Sequence, residues 1–305
     1  MPSADRGLLI LTYHRVLTDE DPLRQGEMTA EAFERHCSVL RSWFNVLPLV
    51  EGWRRARQGA LPARAVSITF DDGYADNAQL ALPALERHGL TATFFVATGY
   101  LDGGRMWNDT IIETLREAPA PLDLRDLGGP LLCGADAQSR ARAVHDTIHA
   151  WKHLLPDERR RRVEELVSRA RGAPPDDLMM TSEQVKELSR AGMDIGAHTV
   201  THPILRRIDD AEASREMARS RATLESLIQA PVRTFAYPNG RLGDDYDECH
   251  ARIARESGFE LAVSTNHGTA RADSDGFQLP RFGPWPESKW RFGLRLLREL
   301  RASVG

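Results

Sequence analysis

Residues 65–77 read AVSITFDDGYADN. Ala65 to Phe70 form a near-continuous apolar run of strand-forming residues, the pattern of a buried strand. Two adjacent carboxylates, Asp71 and Asp72, follow at its end. Neighbours in an extended segment point to opposite sides, so the pair can serve two roles from one strand end. Gly73 permits a sharp turn directly after them. Carboxylates at the C-terminal ends of parallel strands are where α/β barrels keep their active sites. A lone DDG also occurs as a solvated turn or a helix cap, so the rest of the chain must decide.

Outward from this stretch, short apolar runs alternate with helical patterns. Strands are predicted over 8–13, 65–70, 92–97, 194–197, 234–236 and 260–264, and helices over 29–42, 77–88, 182–191, 210–228 and 247–257. TAEAFE (29–34) and TSEQ (181–184) have the form of capping boxes. HGL (88–90), AGM (191–193) and SGF (257–259) put glycine where a helix should stop before the next strand. This alternation predicts an α/β fold with a parallel sheet, open or closed into a barrel. Residues 103–180 break the rhythm. A polar stretch (118–135) precedes one long helical pattern (137–170), read as a helical insertion after the third strand rather than an independent domain. The expectation is a single domain over 1–305.

Forty basic residues against 44 acidic ones give a net charge of −4, which does not indicate a nucleic-acid footprint. The basic residues are almost all arginine, with lysine only at Lys152, Lys186 and Lys289. Cys37, Cys133 and Cys249 form no C-x-x-C pair and are expected as buried free thiols. The N-terminal apolar run is too short for a secretory signal, and no stretch is long enough to span a membrane. A cytoplasmic location is the resulting expectation.

A second candidate is DIGAHTVTHPIL (194–205), with His198 and His202 four apart. The β-branched Thr199, Val200 and Thr201 argue against a helix between them, and Pro203 pushes His202 toward an extended conformation. The pair is therefore read as a strand end and the loop beyond it. Two imidazoles and one carboxylate suit a divalent metal with open positions. AVHDTIHAWKH (143–153) offers a rival set, His145, His149 and His153 along one helix face. No strand-end carboxylate accompanies it, and it is read as an ordinary helix face.

TFDDG (69–73) and HTVTH (198–202) together resemble the first two motifs of the polysaccharide deacetylases, carbohydrate esterase family four. The resemblance implies a distorted (β/α)7 barrel and removal of N-acetyl groups from amino sugars by an Asp-His-His metal site, usually zinc. It makes Asp71 the general base, and Asp72, His198 and His202 the ligands of a divalent metal: zinc, with cobalt, nickel or manganese as alternatives. The partner implied is an N-acetylated saccharide.

The departures carry information. The family's third motif often reads RPPYG, with an arginine that orients the base. Here FAYPNG (235–240) has Ala236 at the arginine position and Asn239 at the tyrosine. The Asn239 backbone N–H is the candidate oxyanion donor, and Arg281, in QLPRFGP (278–284), is the candidate replacement arginine. The late L-x-H motif that supplies the general acid is also absent from the last strand. LTYH (11–14) has the same character at the other end of the chain, and a closed barrel brings its first and last strands together. The biofilm poly-N-acetylglucosamine deacetylases resemble this chain in that early YH. His14 is thus the candidate general acid, with His267 in STNHG (264–268) as its rival.

Tyr74, Tyr100, Trp107, Tyr237 and Trp285 are candidates for stacking on sugar rings. The C-terminal SKWRFGLRLLRELRASVG (288–305) is basic and amphipathic. It is read either as a helix packed on the barrel or as a peripheral membrane contact. Two other functions fit the residues. One is a non-haem iron oxygenase, which uses the same two-histidine, one-carboxylate triad; the other is a catalytically silent saccharide-binding relative. Asp71 beside the ligand set argues for hydrolysis.

Overall fold

In the computed structural model, which describes residues 7–285 and 288–302, seven parallel strands lie side by side in chain order. They are β1 (Leu9–Tyr13), β2 (Ala65–Phe70), β3 (Thr93–Val96), β4 (Asp194–Ala197), β5 (Thr234–Ala236), β6 (Leu261–His267) and β7 (Leu279–Arg281). Tyr13 stands opposite Phe70, and Phe70 opposite Phe94, so aromatic residues stack across neighbouring strands. The two ends of the sheet meet. Leu11 bridges Phe282, the Thr12 N–H donates to the Phe282 carbonyl at 3.0 Å, and the Phe282 N–H donates to the Ile10 carbonyl at 2.8 Å. The result is a nearly closed, distorted barrel, thinnest where β4 and β5 pair through Phe235 and Ala197 alone.

Ten α-helices cover the described residues: α1 (Ala30–Trp43), α2 (Leu49–Arg57), α3 (Leu82–His88), α4 (Trp107–Glu117), α5 (Ala137–Trp151), α6 (Pro156–Ala170), α7 (Ser182–Arg190), α8 (Asp210–Ile228), α9 (Glu248–Glu256) and α10 (Lys289–Ala302). Of the two expected capping boxes one forms; at 29–34 Thr29 is a plain N-cap, because the residue three positions on is Ala32, which has no side-chain acceptor. Thr29 accepts from the Ala32 N–H, and Thr181 with Gln184 closes a full capping box. Gly89 ends α3 in the left-handed region at φ +58°.

Three readings need correction. The helix expected over 77–88 begins as a π-helical turn, Asn77–Ala81, and only then becomes α3. Pro83, in the first turn of α3, has no N–H to give to the ladder. The single helix expected over 137–170 is two helices. Pro156 forces Leu155 into an extended conformation (φ −57°, ψ 144°), which ends one helix and starts the next. Of the three free cysteines only Cys37 is buried; Cys133 is exposed and Cys249 half-buried.

The insertion comprises α4, a short antiparallel pair (Leu122–Asp123 with Leu131–Leu132), α5 and α6. It has its own apolar cluster around Ile111, Leu115, Leu124, Trp151 and Leu166. Ion pairs tie it to the barrel: Arg24 donates to Asp109 at 2.7 Å and Glu113 at 2.8 Å, and the Tyr74 hydroxyl donates to Asp109 at 2.9 Å. α10 buries Phe292 and Leu296 while Trp290 and Leu294 face outward. Ser303, Val304 and Gly305 of the amphipathic segment lie outside the described residues. Among the described residues no helix is long and apolar enough to cross a membrane.

His36 on α1 is fully buried. The Tyr13 hydroxyl lies 3.1 Å from its Nδ1, and its ring stacks on Phe292 at 3.6 Å. Its Nε2 has no hydrogen-bond partner. Burial, aided by Arg35, pushes its pKa down to about 3. The unfolded chain takes up this proton near pH 6.5, whereas the folded chain does not. Stability is therefore complete above about pH 6.5 and falls with pH below it. Between pH 7 and pH 5 the wild type should lose roughly 2 kcal/mol more than His36→Leu, read from urea unfolding at each pH.

Candidate active site

The DDG turn acts as its spacing predicts. The Asp71 N–H donates to the Tyr13 carbonyl at 2.9 Å, which continues the β1–β2 ladder to its last residue. Asp72 then takes φ +76° and Gly73 φ +90°, and the chain turns away. A side chain at Gly73 would press on Val96 Cγ1 at 3.0 Å.

The two carboxylates part to opposite sides. Asp71 meets Arg281 in a bidentate pair, with distances of 2.7 Å and 2.6 Å to its two oxygens, and both side chains are buried. Arg281 is itself fixed by the Ser264 carbonyl at 2.8 Å and by Thr69 Oγ1 at 3.2 Å. Burial alone would raise the Asp71 pKa, but the Arg281 charge and hydrogen bonds hold it below the usual carboxylate range.

Asp72 faces two imidazoles. Its Oδ1 lies 3.4 Å from His198 Nε2 and 3.3 Å from His202 Nε2. The His198 Nδ1–H donates to the Ala236 carbonyl at 2.7 Å, which leaves the Nε2 lone pair directed at Asp72. Against its burial, the neighbouring His198 and His202 hold Asp72 well below its ordinary pKa. Burial pushes His202 down to about 4, so it is neutral near pH 7. Among the described residues, Asp72, His198 and His202 are the one group whose ligand atoms all lie within 4.8 Å of one another. Neutral imidazole nitrogens and an ionised carboxylate are the donor set a divalent cation takes.

The loop carrying these histidines is strained. Thr199 has φ +64° and His202 φ +52°, and a β-branched residue is costly in the left-handed region. Glu216, buried on α8, compensates. It accepts from the Val200 N–H at 2.7 Å, the Thr201 N–H at 2.8 Å and the Thr201 hydroxyl at 2.9 Å. The Tyr100 hydroxyl adds a bond to the Thr201 carbonyl at 2.8 Å. Glu216→Ala should therefore lower the unfolding free energy by about 2 kcal/mol or more. It should also speed hydrogen exchange at the Val200 and Thr201 amides, which NMR would read.

His14, at the end of β1, borders the same cleft of about 350 Å³. It is exposed to the cleft. Desolvation draws its pKa down, but Asp72, Asp71 and Glu27 draw it up by more, so the net shift is upward. The far end of the DDGYADN motif holds this residue. Asn77 Nδ2 donates to the His14 carbonyl at 2.9 Å, and neighbouring Arg15 pairs with Asp76 at 2.7 Å. Asn239, at φ +59°, also lines the cleft.

Three candidates lie elsewhere. His267 is exposed and engages Glu299 on α10 at 3.0 Å, away from the cleft lining. Tyr237 is fully buried, stacked on Tyr246 at 3.9 Å with its hydroxyl on the Phe277 carbonyl, so it has no face for a substrate. Trp107 packs on the insertion under Arg159 at 4.7 Å, and its neighbour Asn108 borders the cleft instead. Trp285, 53% exposed, edges a hollow that shares His14, Gln25 and Glu27 with the cleft. The residues missed by sequence reasoning are Glu216, Glu27 and the Arg24–Asp109–Tyr74 link. Only Asp76 and Asn77, inside the opening motif, carried a local signal.

Comparison with known proteins bears on the family and the fold. The polysaccharide deacetylase profile matches residues 58–262. YxkH of Bacillus subtilis (strain 168), a polysaccharide deacetylase by name, is 24% identical over 276 residues, 90% of this chain and 70% of that one. Among solved structures, Streptococcus pyogenes deacetylase PplD superposes with a TM-score of 0.65 at 21% identity, over 96% of this chain and 98% of its own. IcaB from Ammonifex degensii gives 0.61 at 20% identity, over 95% and 97%. The profile spans both carboxylates and both histidines of the site, and the barrel superposes over nearly its whole length: the chain belongs to the polysaccharide deacetylase family.

Proposed function

We propose that this protein hydrolyses N-acetyl groups from the amino sugars of a polysaccharide or of its saccharide precursor, in a single domain over 1–305. One observation carries the reading. A buried carboxylate, clamped by Arg281, stands beside a carboxylate that faces two imidazoles, with a third imidazole lining the same cleft. An oxygenase built on Asp72, His198 and His202 has no use for the clamped Asp71.

In this reading Asp72, His198 and His202 hold a divalent cation, zinc first, with cobalt, nickel or manganese able to substitute. Bound there, it supplies a Lewis acid that polarises an acyl carbonyl and acidifies water. Asp71 accepts the proton of the attacking water, and Arg281 keeps that carboxylate ionised and aimed. His14 delivers a proton to the leaving amine, a step that contributes on the order of 10²–10⁴ in rate. His267, committed to Glu299 outside the cleft, is the weaker candidate for that step. The Asn239 N–H donates to the developing oxyanion, worth roughly 3 kcal/mol in comparable sites. The insertion (103–180) supplies one wall of the cleft through Asn108 and Ile112. Any membrane contact falls on the outer face of α10, where Trp290 and Leu294 accompany Arg291 and Arg298.

The test is acetate release from N-acetylglucosamine oligomers and from an aryl acetate, before chelation, after it, and after return of each cation. Chelation should lower the rate at least 100-fold and one cation should restore it. A folded, cation-loaded protein that releases no acetate from any acetylated saccharide would sink the proposal. Iron-dependent oxygen uptake would replace it with the oxygenase.

A further inference from the structure

The histidines of AVHDTIHAWKH take no part in the site above, yet they are not scattered. On α5, Arg142, His145, His149 and Lys152 follow one another at spacings of three, four and three, so they share one helix face. The His145 and His149 rings lie nearly parallel, with centroids 6.3 Å apart. This face borders a hollow of about 540 Å³ whose opposite side is Pro22, Leu23, Gln25 and Ile112. Leu23, Gln25 and Ile112 also line the catalytic cleft. The two spaces thus share a wall.

Their charged linings differ. The cleft holds Asp71, Asp72 and Glu27 beside Arg24. The hollow on α5 is lined by no carboxylate; its floor is Leu23, Ile112, Val144 and Ile148, and its rim is two cations and two imidazoles. The nearest acid on the helix, Asp146, approaches Arg142 at 3.8 Å, and both are largely exposed. Lys152 is one of three lysines in the chain. A low-polarity floor beneath such donors strengthens their attraction for an anion. Spread along one face, two cations with two imidazoles between them offer several N–H donors, more than a single carboxylate would use and suited to the oxygens of a phosphate ester.

We propose that this hollow is a subsite for a phosphate ester on the substrate, so that the N-acylated sugar in the cleft belongs to a phosphate-bearing saccharide. The sugar half of this inference rests on the deacetylase reading; the phosphate half does not. The phosphate can come from a nucleotide-linked sugar, from a lipid-linked sugar, or from a phosphorylated glycan.

Calorimetry on the full chain tests it. The probes are N-acetylglucosamine 1-phosphate, its neutral methyl glycoside and a glucuronate-bearing disaccharide. The proteins are the wild type, Arg142→Glu/Lys152→Glu, and Lys186→Glu/Arg252→Glu as a charge-matched control. The phosphate probe should bind at least ten-fold tighter than the neutral one in the wild type and in the control. In Arg142→Glu/Lys152→Glu that ratio should fall below three. A ratio near one in the wild type, or one that survives reversal on α5, overturns the proposal; the latter would mean phosphate drawn to the cation site instead. A glucuronate probe that binds as tightly overturns the choice of phosphate. A uridine diphosphate sugar and a polyprenyl-phosphate sugar in nanodiscs then identify the source, by which of them gains affinity over the 1-phosphate. Binding is read without turnover, so a protein that releases no acetate refutes the hydrolase and leaves this result to stand or fall alone.

Discussion

Asp71→Asn should lower acetate release from an acetylated saccharide by about 10³-fold, with KM little changed. The substitution keeps the shape of the side chain and removes its ability to accept a proton. It also turns an amide NH2 toward the Arg281 donors, which now bond Asp71 at 2.6 and 2.7 Å. The defect should appear equally with an aryl acetate, because both substrates need the attacking water deprotonated. His14→Gln separates the two roles. An amine needs a proton to leave and a phenolate does not, so this variant should lose about 10²-fold or more on the amide and little on the aryl ester. Equal losses on both substrates would remove His14 from the role of acid.

The second large effect is on stability. Arg281→Met leaves Asp71 buried with no counter-charge, and breaking a pair of this kind costs about 3–5 kcal/mol. The cost depends on pH in a defined direction. In the wild type the folded Asp71 pKa is depressed, so the pair contributes stability above the unfolded value, near 3.9, and loses it as pH falls below. In Arg281→Met the carboxyl is desolvated alone, and folding near neutral pH demands a proton that the unfolded chain does not carry. The gap between the two proteins should be widest near pH 7 and narrow toward pH 4, measured by urea unfolding. The double variant Asp71→Asn/Arg281→Met should recover much of the loss. A gap that does not change with pH would mean the cost is packing, not charge.

Six of the seven barrel strands announce themselves locally; the last, Leu279–Arg281, is three residues around a proline and does not. Ala65–Phe70 and Asp194–Ala197 are apolar runs bounded by turn residues, and glycines or capping boxes punctuate the helices between them. Leu49–Arg57 escaped because Gly52 interrupts its pattern; that glycine packs against Leu8, where a Cβ would stand 3.0 Å from the nearest methyl. The grouping of Asp72, His198 and His202 was legible for the same reason: all three residues belong to two short motifs. Arg281 has no motif of its own: only the missing third-motif arginine points to it, and only the closing of the barrel connects it to Asp71. Glu216 and Glu27 had no local signal, because an acid in a helix or loop reads as surface until tertiary contacts bury it. Tyr237 has no face for a sugar because the core takes it up, while Trp107 is half-buried under Arg159.

The meeting of β1 with β7 also has a bearing on synthesis. Asp71 and the arginine that neutralises it are separated by 210 positions, and His14 and Arg281 come from opposite ends of the barrel. A nascent chain emerging from the ribosome carries Asp71 long before Arg281 appears. Until then the carboxylate must remain hydrated, and the wall between β1 and β6 must remain open. Closing so long a loop is entropically costly and kinetically late. Catalytic competence should therefore arise in one step, after the last strand has left the exit tunnel, and a stalled chain lacking that strand would offer its unpaired β1 and β6 edges to chaperones.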